Sequence, residues 1–259
     1  MALCVTVKRS NSKERFSMEQ IIPLASASFL KCGQCSLGKI CLPVGLDRDD
    51  MNSLEEIVDT GRVFQEGETV YSAGQPFEYI YAVKSGMFKT VLNDSQGSEH
   101  IASFHLPGEL FGLDAIYSSV HGSTAVALGT SSLCAIRYKD LEQLATKVPG
   151  LQQHLFSLMS KEVHNSFAKL HEHSVDQKLA AFLVALSARY KQRGYSETRF
   201  HLMMARRDIA NHLNMAPETI SRLFKRFQND GLIEVKRTDL HILDLEALKD
   251  LSGCAGSCD

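Results

Sequence analysis

The chain has 259 residues, of which 44% are hydrophobic, and a formal net charge of −2. This length suffices for one large or two ordinary domains, and the near-neutral charge excludes a strongly basic protein, so any nucleic-acid surface must be local. Seven unevenly spaced cysteines argue against a secreted disulfide framework and for a reducing compartment. Because no stretch approaches the roughly 20 apolar residues of a membrane-spanning helix and no signal peptide is recognisable, we expect a cytoplasmic protein with no membrane partner.

Three cysteines lie close together near the start of the chain, with the spacing C-x2-C-x5-C: Cys32, Cys35 and Cys41. Glycines between them let the backbone curl, so three thiolates can converge on one metal centre. Thiolates favour zinc, copper(I) or iron–sulfur clusters over hard cations. Since no second C-x2-C follows, the spacing suits three corners of a [4Fe–4S] cluster better than a zinc site. Free thiols on a mobile segment, or a disulfide, are the alternatives.

The first half of the chain is predicted to be an arm, a helix and a β-domain. Residues 1–31 have no clear periodicity and are expected to be a flexible arm. A helix is predicted at residues 47–60, capped by an aspartate and ended by Gly61. From residue 62 to 138, short β-prone runs alternate with glycine turns, which is typical of an antiparallel barrel or jelly roll. Cys134 falls in its last strand, and we assign residues 32–139 to this domain.

A long helix is predicted over residues 140–174. Apolar side chains recur along it mostly at steps of three and four: Leu151, Leu155, Leu158, Met159, Val163, Phe167 and Leu170. This stripe indicates either an ordinary buried face or, on a helix that links two domains, a seam between subunits. His171 and His173 are two residues apart and point to different helix faces, so we do not interpret them as a metal pair.

Residues 175–250 have the element order of a winged helix-turn-helix. A helix at 206–213, a turn at 214–216 and a second helix at 217–230 precede a small hairpin, and residues 191–240 hold ten lysines and arginines against six acids. The second helix presents the side chains that we predict to contact double-stranded DNA: Glu218, Ser221, Arg222, Lys225 and Arg226. The first three share a face at the helix start, where such proteins read bases, and the last two follow where phosphates would lie.

The remaining cysteines are expected to be free. Cys4 lies in the N-terminal arm, and Cys254 and Cys258 lie in the tail formed by residues 251–259.

Together these motifs resemble the fumarate and nitrate reduction regulator (FNR) branch of the cyclic-AMP receptor protein superfamily. The resemblance covers the chain from Cys32 to about Leu248 and is carried by the cysteines, by the sequence FHLPGEL at 104–110, by LAAF at 179–182 and by ETISRL at 218–223. It implies an α+β fold. An antiparallel β-barrel or jelly roll of the cyclic-nucleotide-binding type would be followed by a dimerisation helix and a C-terminal winged helix-turn-helix.

The resemblance also implies a function. The chain would be a homodimeric transcription regulator of anaerobic metabolism, not an enzyme, with one oxygen-labile [4Fe–4S] cluster per subunit on Cys32, Cys35, Cys41 and Cys134. The cluster would keep the dimer paired on an inverted TTGAT-type DNA repeat, and oxygen would destroy the cluster and release the DNA. Loops near residues 93–98 and 127–132 would contact RNA polymerase.

The sequence departs from the family pattern in the linking helix and in the helix-turn-helix. The stretch from Ser160 to Leu179 is about three residues short, close to one helical turn, and Ser166 stands near a position that is often acidic in relatives. These differences bear on the strength of the monomer–dimer switch. Ala205 replaces a capping hydroxyl, and Pro217 replaces a residue able to pack on a thymine methyl, so half-site preference is expected to differ modestly.

Other effectors remain as alternatives. Glu109 matches a cyclic-nucleotide pocket, but the arginine–serine pair that would neutralise the phosphate is missing at residues 122–125. A buried, unneutralised phosphate is costly, so we expect no cyclic nucleotide and interpret Glu109 as structural. A haem sensor leaves the cysteines unexplained, and an iron–sulfur enzyme or electron carrier leaves the reading head unexplained. Zinc or another effector in place of the oxygen-labile cluster is the main alternative.

Overall fold

A computed structural model describes residues 31–94, 96–168 and 174–253, without the side chains of residues 165–168. The chain forms a β-roll, two connecting helices and a C-terminal winged helix-turn-helix domain, so the expected α+β architecture is confirmed. The expectations for the N-terminal arm, for His171 and His173, and for Cys254 and Cys258 lie outside these residues. Within them, no helix combines the length and the apolar character needed to cross a membrane.

The β-roll consists of short strands joined by tight turns: β1 (Val58–Phe64), β2 (Thr69–Tyr71), β3 (Tyr79–Ser85), β4 (Phe88–Asn93), β5 (Glu99–His105), β6 (Leu110–Phe111), β7 (Thr124–Ala127) and β8 (Ser131–Arg137). In the described part of the chain they make two four-stranded antiparallel sheets with the orders β1-β8-β3-β6 and β2-β7-β4-β5. A short helix, α2 (Ala115–Ser118), lies between β6 and β7.

Strand β8 shows how the two faces of the first sheet are used. Leu133 and Ala135 belong to the apolar cluster between the two sheets, which includes the rings of Tyr71, Phe88 and Phe111. Since side chains alternate along a strand, the intervening Cys134 lies on the outer face, where it joins a second cluster with residues of the surrounding helices. The sheet therefore carries Cys134 toward the helices and away from the roll interior.

The helix before the roll is shorter than predicted. Asp47 caps α1 (Arg48–Ile57) by accepting hydrogen bonds from the backbone N–H groups of Asp49 and Asp50, as expected. The prediction that Gly61 ends this helix is wrong. The chain already enters β1 at Val58, whose residues pair with β8, and Gly61 lies at a bulge in that ladder with a φ of 117°.

The predicted continuous helix from residue 140 is also wrong, because two helices occupy the stretch. Helix α3 (Tyr138–Lys147) ends at Val148, and α4 (Pro149–Ala168) starts at the proline, whose missing N–H is tolerated only in a first turn. The break lets α3 pack on α1 and β8 while α4 takes a new direction.

The C-terminal domain contains α5 (Val175–Gln192), β9 (Arg199–His201), α6 (Arg206–His212), α7 (Pro217–Asn229), β10 (Ile233–Lys236), β11 (Asp239–Ile242) and α8 (Leu245–Ser252). The predicted hairpin is β10 and β11, but β9 adds a third strand next to β11 that the sequence reading missed. Helix α8 was also not predicted. Ser174 and Gln177 form a capping box at the start of α5.

The winged helix-turn-helix domain packs against the β4–β5 edge of the roll. One apolar cluster runs from Met87 and Phe104 into α5, α6 and α7. Asn211 accepts a hydrogen bond from the N–H of Ile101 at 2.6 Å and donates one to the carbonyl of Glu99 at 2.7 Å. The domain orientation is therefore fixed by both apolar packing and directional hydrogen bonds.

Candidate metal centre and candidate DNA interface

Residues 31–46, here called the cysteine segment, fold as a series of tight turns. The N–H of Cys35 donates to the carbonyl of Cys32 at 3.1 Å, and the N–H of Cys41 donates to the carbonyl of Leu37 at 3.0 Å. The segment is tied to α1 by a hydrogen bond from the N–H of Gly33 to Glu55 Oε1 at 2.8 Å. These turns hold three cysteines on a short, compact stretch of backbone.

All four cysteines named by the sequence reading border one small cavity of about 30 Å³: Cys32, Cys35, Cys41 and Cys134. The remaining walls are mostly apolar and come from the cysteine segment, α1, β3 and β8. Among the described residues, however, no three His, Cys, Asp or Glu side chains are arranged to hold a metal ion. The cysteines thus share a cavity without forming a finished coordination sphere.

Raised pKa values favour the neutral thiol at Cys32, Cys41 and Cys134. Burial, with a smaller contribution from the nearby cysteines, raises the pKa of Cys41 to about 12. Burial likewise raises the pKa of Cys134 to about 11, against the opposing effect of Lys84. A metal must therefore displace thiol protons, which neutral-pH metal sites routinely do. Four sulfur donors in an apolar wall suit a soft metal ion or cluster that has four ligand positions.

The first turns of α4 lie against the cysteine segment. Gly150 lies next to the backbone of Gly45, and Cys41 belongs to the same apolar cluster as Leu151 and Leu155. Burial lowers the pKa of His154, while a hydrogen bond to the backbone of Cys41 acts in the opposite direction. The cysteine segment is therefore in direct contact with α4, so a change in its conformation acts directly on that helix.

The apolar stripe of α4 divides into two faces. Leu151 is 0% exposed, and Leu155 and Leu158 are partly buried against the same core, so these residues pack mainly within their own subunit. Met159 and Val163 remain 42% and 55% exposed.

Phe156, which the sequence reading missed, is 62% exposed on the same side as Met159 and Val163. With about 100° of rotation per residue, this face lies about 110° from the buried one. Continuing the steps of three and four backward from Val163 and Met159 was the signal that would have found it. The Phe167 side chain and Leu170 lie outside the described residues.

Helix α7 presents an exposed polar face over a buried apolar one. Ile220, Leu223, Phe224 and Phe227 are buried, whereas Glu218, Ser221, Arg222, Lys225 and Arg226 are all exposed. The hydroxyl of Ser221 donates to the carbonyl of Pro217 at 2.9 Å. Arg226 forms an ion pair with Asp176 of α5. The five predicted DNA-contacting residues thus share a solvent-facing side, with Arg226 also tied to the domain core.

Arg206 was not singled out by the sequence reading. It starts α6, and its guanidinium lies 3.3 Å from the centroid of the Phe224 ring. Burial lowers its pKa to about 10. This stacking joins the two helices of the helix-turn-helix. Ala205 gives α6 no side-chain cap, as the sequence predicts.

Comparison with known proteins identifies the family. A model of the Crp-like helix-turn-helix domain matches residues 177–251, and a model of the cyclic nucleotide-binding domain matches residues 61–147. Across 239 residues the chain is 41% identical to the transcriptional regulatory protein Btr of Bordetella pertussis, covering 91% of this chain and 98% of Btr. It is 39% identical over 227 residues to the fumarate and nitrate reduction regulatory protein of Escherichia coli K12, covering 86% and 91%.

The chain belongs to the FNR family of transcription regulators. Among solved structures, FixK2 from Bradyrhizobium japonicum matches with a TM-score of 0.68 and 24% identity, covering 74% of this chain and 97% of FixK2. That likeness concerns the fold. Membership of the FNR family accounts for the helix-turn-helix, which is the DNA-binding part of a transcription regulator.

Proposed function

We propose that this FNR-family regulator responds to oxygen and controls anaerobic metabolism. A [4Fe–4S] cluster, one per subunit, would be held by Cys32, Cys35, Cys41 and Cys134. The supporting observation is that these four cysteines, from two separate parts of the chain, border one apolar cavity. When bound, the cluster supplies an oxygen-sensitive centre, because exposed iron–sulfur clusters are redox-active. The chain's own contribution is the set of four thiolates and the apolar wall.

The regulator acts as a homodimer paired along α4. Exposed Phe156, Met159 and Val163 supply a stripe spaced as a helix–helix seam requires. Dimerisation is supported indirectly by Leu151, Leu155 and Leu158, which pack α4 against the β-roll. Because a single subunit reading one half-site binds weakly, a modest shift in dimerisation is amplified at the promoter.

The DNA target is an inverted repeat of the TTGAT type, read by one α7 from each subunit. Arg222 is suited to guanine, Glu218 to cytosine, and Ser221 to a base or a phosphate. Lys225 and Arg226 neutralise phosphates, and Arg226 keeps Asp176 as a second partner. Loss of the cluster to oxygen would weaken the dimer and so release this DNA.

Two loops of the β-roll are assigned to RNA polymerase, an exposed one at residues 93–98 and one at 127–132 in which Thr130 is exposed. In the loop at residues 93–98, Asp94 Oδ1 accepts hydrogen bonds from the N–H groups of Gln96 and Ser98, both at 2.8 Å. In the loop at 127–132, Ser131 anchors the chain to Met87. Loops held in one conformation present side chains to a partner at low entropic cost.

A cyclic nucleotide is not the effector in this proposal. Aromatic rings fill the space between the two sheets, where the Tyr71 and Tyr81 centroids are 5.6 Å apart and those of Tyr81 and Phe111 5.3 Å apart. Glu109, the carboxylate that matches the family's ribose contact, is already bound by two arginines.

Zinc on the same cysteines is the second candidate, and the cavity size favours it. A space of about 30 Å³ admits one metal ion with little rearrangement, whereas a four-iron cube requires the cysteine segment to move outward. Zinc with four thiolates would make a closed structural site and an oxygen-insensitive regulator.

Purification without oxygen separates these functions. We expect a brown protein with about four iron and four sulfide per subunit, as a [4Fe–4S] centre requires, that binds an inverted-repeat probe in a gel-shift assay and loses both colour and binding in air. Colourless protein with one zinc per subunit and equal DNA affinity with and without air would replace the cluster proposal with the zinc one.

A further inference from the structure

Glu109, immediately before β6, is bound by two arginines from the DNA-binding domain. Arg189 Nε and one terminal nitrogen donate to its two carboxylate oxygens at 2.9 and 2.6 Å, and Arg193 donates to it at 2.7 Å. The N–H of Leu106 adds a fourth hydrogen bond at 2.9 Å. Glu109 is 27% exposed and Arg193 only 3%. Such a partly buried, fully paired carboxylate cannot leave its partners without a large cost.

The same arginines also bind the backbone of the loop before Glu109. Arg189 donates to the carbonyl of Phe104 at 2.6 Å, and Arg193 donates to the carbonyl of Pro107 at 2.6 Å. Residues 104–109, here called the bridging loop, are thus held to α5 at both ends. Any movement of this loop must move α5 or break several charge-assisted hydrogen bonds.

The opposite side of the bridging loop contacts the cysteine segment. Gly108 has a φ of +88°, and a Cβ at this position would lie 2.7 Å from Ile40 Cδ1. Leu37 lies behind it, and the N–H of Gly108 donates to the carbonyl of Val83 at 2.8 Å. Ile40 immediately precedes Cys41. The loop therefore lies between the candidate metal centre and the DNA-binding domain of the same subunit.

We propose that the bridging loop transmits changes of the cysteine segment to the DNA-binding domain within one subunit, and that Glu109 is the positioning residue at its far end. Displacement of Ile40 releases Gly108, and Glu109 then passes the change to Arg189 and Arg193. This route is separate from dimerisation along α4. Its link to metal loading rests on the proposed function, whereas its mechanical part concerns only residues of this chain.

Hydrogen exchange on the metal-free full-length protein tests the mechanical part. Ile40→Ala is expected to raise amide exchange in peptides covering residues 104–110 and 186–194 by about tenfold, a local-opening effect. Lys39→Ala, at an exposed neighbouring position, is the matched control and should change neither peptide. Glu109→Gln is expected to raise exchange in 186–194, whereas Glu197→Gln, which breaks the ion pair with Lys191 inside one domain, is not.

The double variant distinguishes transmission from simple structural support. In a Glu109→Gln background, Ile40→Ala should no longer change exchange at 186–194, because the route is already cut. If the two effects add instead, or if Ile40→Ala leaves 186–194 unchanged, the inference is overturned. Should Glu109→Gln fail to fold, Arg189→Lys replaces it, since lysine keeps the positive charge but cannot donate two hydrogen bonds to the carboxylate as the planar guanidinium does.

Metal loading gives the final comparison. Exchange at 186–194 should differ between the protein purified without oxygen and the same protein after air, while Glu109→Gln should abolish that difference. If the protein holds the cluster but amide exchange at residues 186–194 is the same before and after air, the inference is refuted and the proposed function stands. A protein that holds no cluster would refute the proposed function, and the Ile40→Ala and Glu109→Gln results would still decide the mechanical part.

Discussion

The cysteine cavity and the exposed face of α7 are built in opposite ways. On α7, polar side chains lie in solvent on a helix whose other face is buried through Ile220, Phe224 and Phe227, so the surface that we predict to contact DNA is formed without DNA. In the cavity, the thiols are partly buried, burial raises the pKa values of Cys41 and Cys134, and no finished metal geometry exists among the described residues. The reading head is complete without its ligand. In the proposed function, the cysteine cavity becomes a complete centre only when its metal binds, as a sensor requires.

The largest effect is expected from removing the one cysteine that belongs to the β-roll. Cys134→Ala should abolish metal binding and anaerobic DNA binding, because the cysteine segment alone supplies three of four thiolates. Iron and sulfide assays with gel shift measure this, and Cys254→Ala, outside the proposed set, is the control. Retention of cluster and DNA binding by the Cys134 variant would mean that the fourth ligand lies elsewhere.

The two faces of α4 should respond differently to truncation. Leu151→Ala removes a 0% exposed side chain and is expected to lower the free energy of unfolding by about 2–5 kcal/mol. Phe156→Ala should leave the unfolding of the monomer nearly unchanged and weaken dimerisation by about tenfold or more. Denaturant unfolding and analytical ultracentrifugation measure the two quantities. A stability loss at Phe156 comparable to that at Leu151 would contradict the assignment of the exposed face to a partner subunit.

The junction of the two regions should be sensitive to acid. Burial raises the pKa of Glu109, but the ion pairs with Arg189 and Arg193 outweigh it and hold the pKa at about 2, below the ordinary 4.5. A depressed pKa gives stability that is present above pH 4.5 and is lost as the pH falls toward 2. The loss is at most about 3 kcal/mol. The difference in unfolding free energy between wild type and Glu109→Gln should shrink between pH 5 and pH 3; a difference independent of pH would rule out the ion pairs as its source.

The smallest effects separate base reading from phosphate contact on α7. Arg222→Ala should cost about 1–3 kcal/mol on the inverted repeat and relax preference at one base position. Lys225→Ala should weaken binding to all sequences alike and reduce the salt slope by about one. Titrations of specific and scrambled probes at several salt concentrations provide both numbers. If Arg222→Ala weakens both probes equally, Arg222 binds phosphate.

Much of the element order was predictable because most elements have a local signal. Asp47 marks the start of α1, Pro217 the start of α7, and the glycine turns mark the strands of the roll. Boundaries were missed where tertiary pairing overrides local preference. Val58 could extend a helix, yet β8 offers it a strand partner. Strand β9 has only three residues and exists because β11 binds it, so nothing in its own sequence announces it.

The candidate sites were predictable where their residues form a local sequence pattern and not where they depend on tertiary contacts. The cysteine spacing and the polar face of α7 are local patterns, and the sequence reading found both. The division of the α4 stripe depends on which side the β-roll covers, and a helical repeat alone does not contain that information. The sequence indicates that Glu109 is structural, but it does not identify the two arginines that bind it, which are 80 and 84 residues away. Long-range ion pairs of this kind leave no trace in composition or spacing.

Strand β8 is hydrogen-bonded on both sides, with Cys134 opposite Thr60 of β1 and Ala82 of β3. A slip of one position would turn this sulfur inward among the aromatic rings and bring Leu133 or Ala135 to the helices instead. The spacing among the other three cysteines faces no such demand, because turns can lengthen or shorten by a residue. Insertions between Cys35 and Cys41 should therefore be tolerated during evolution far better than a single deletion within β8.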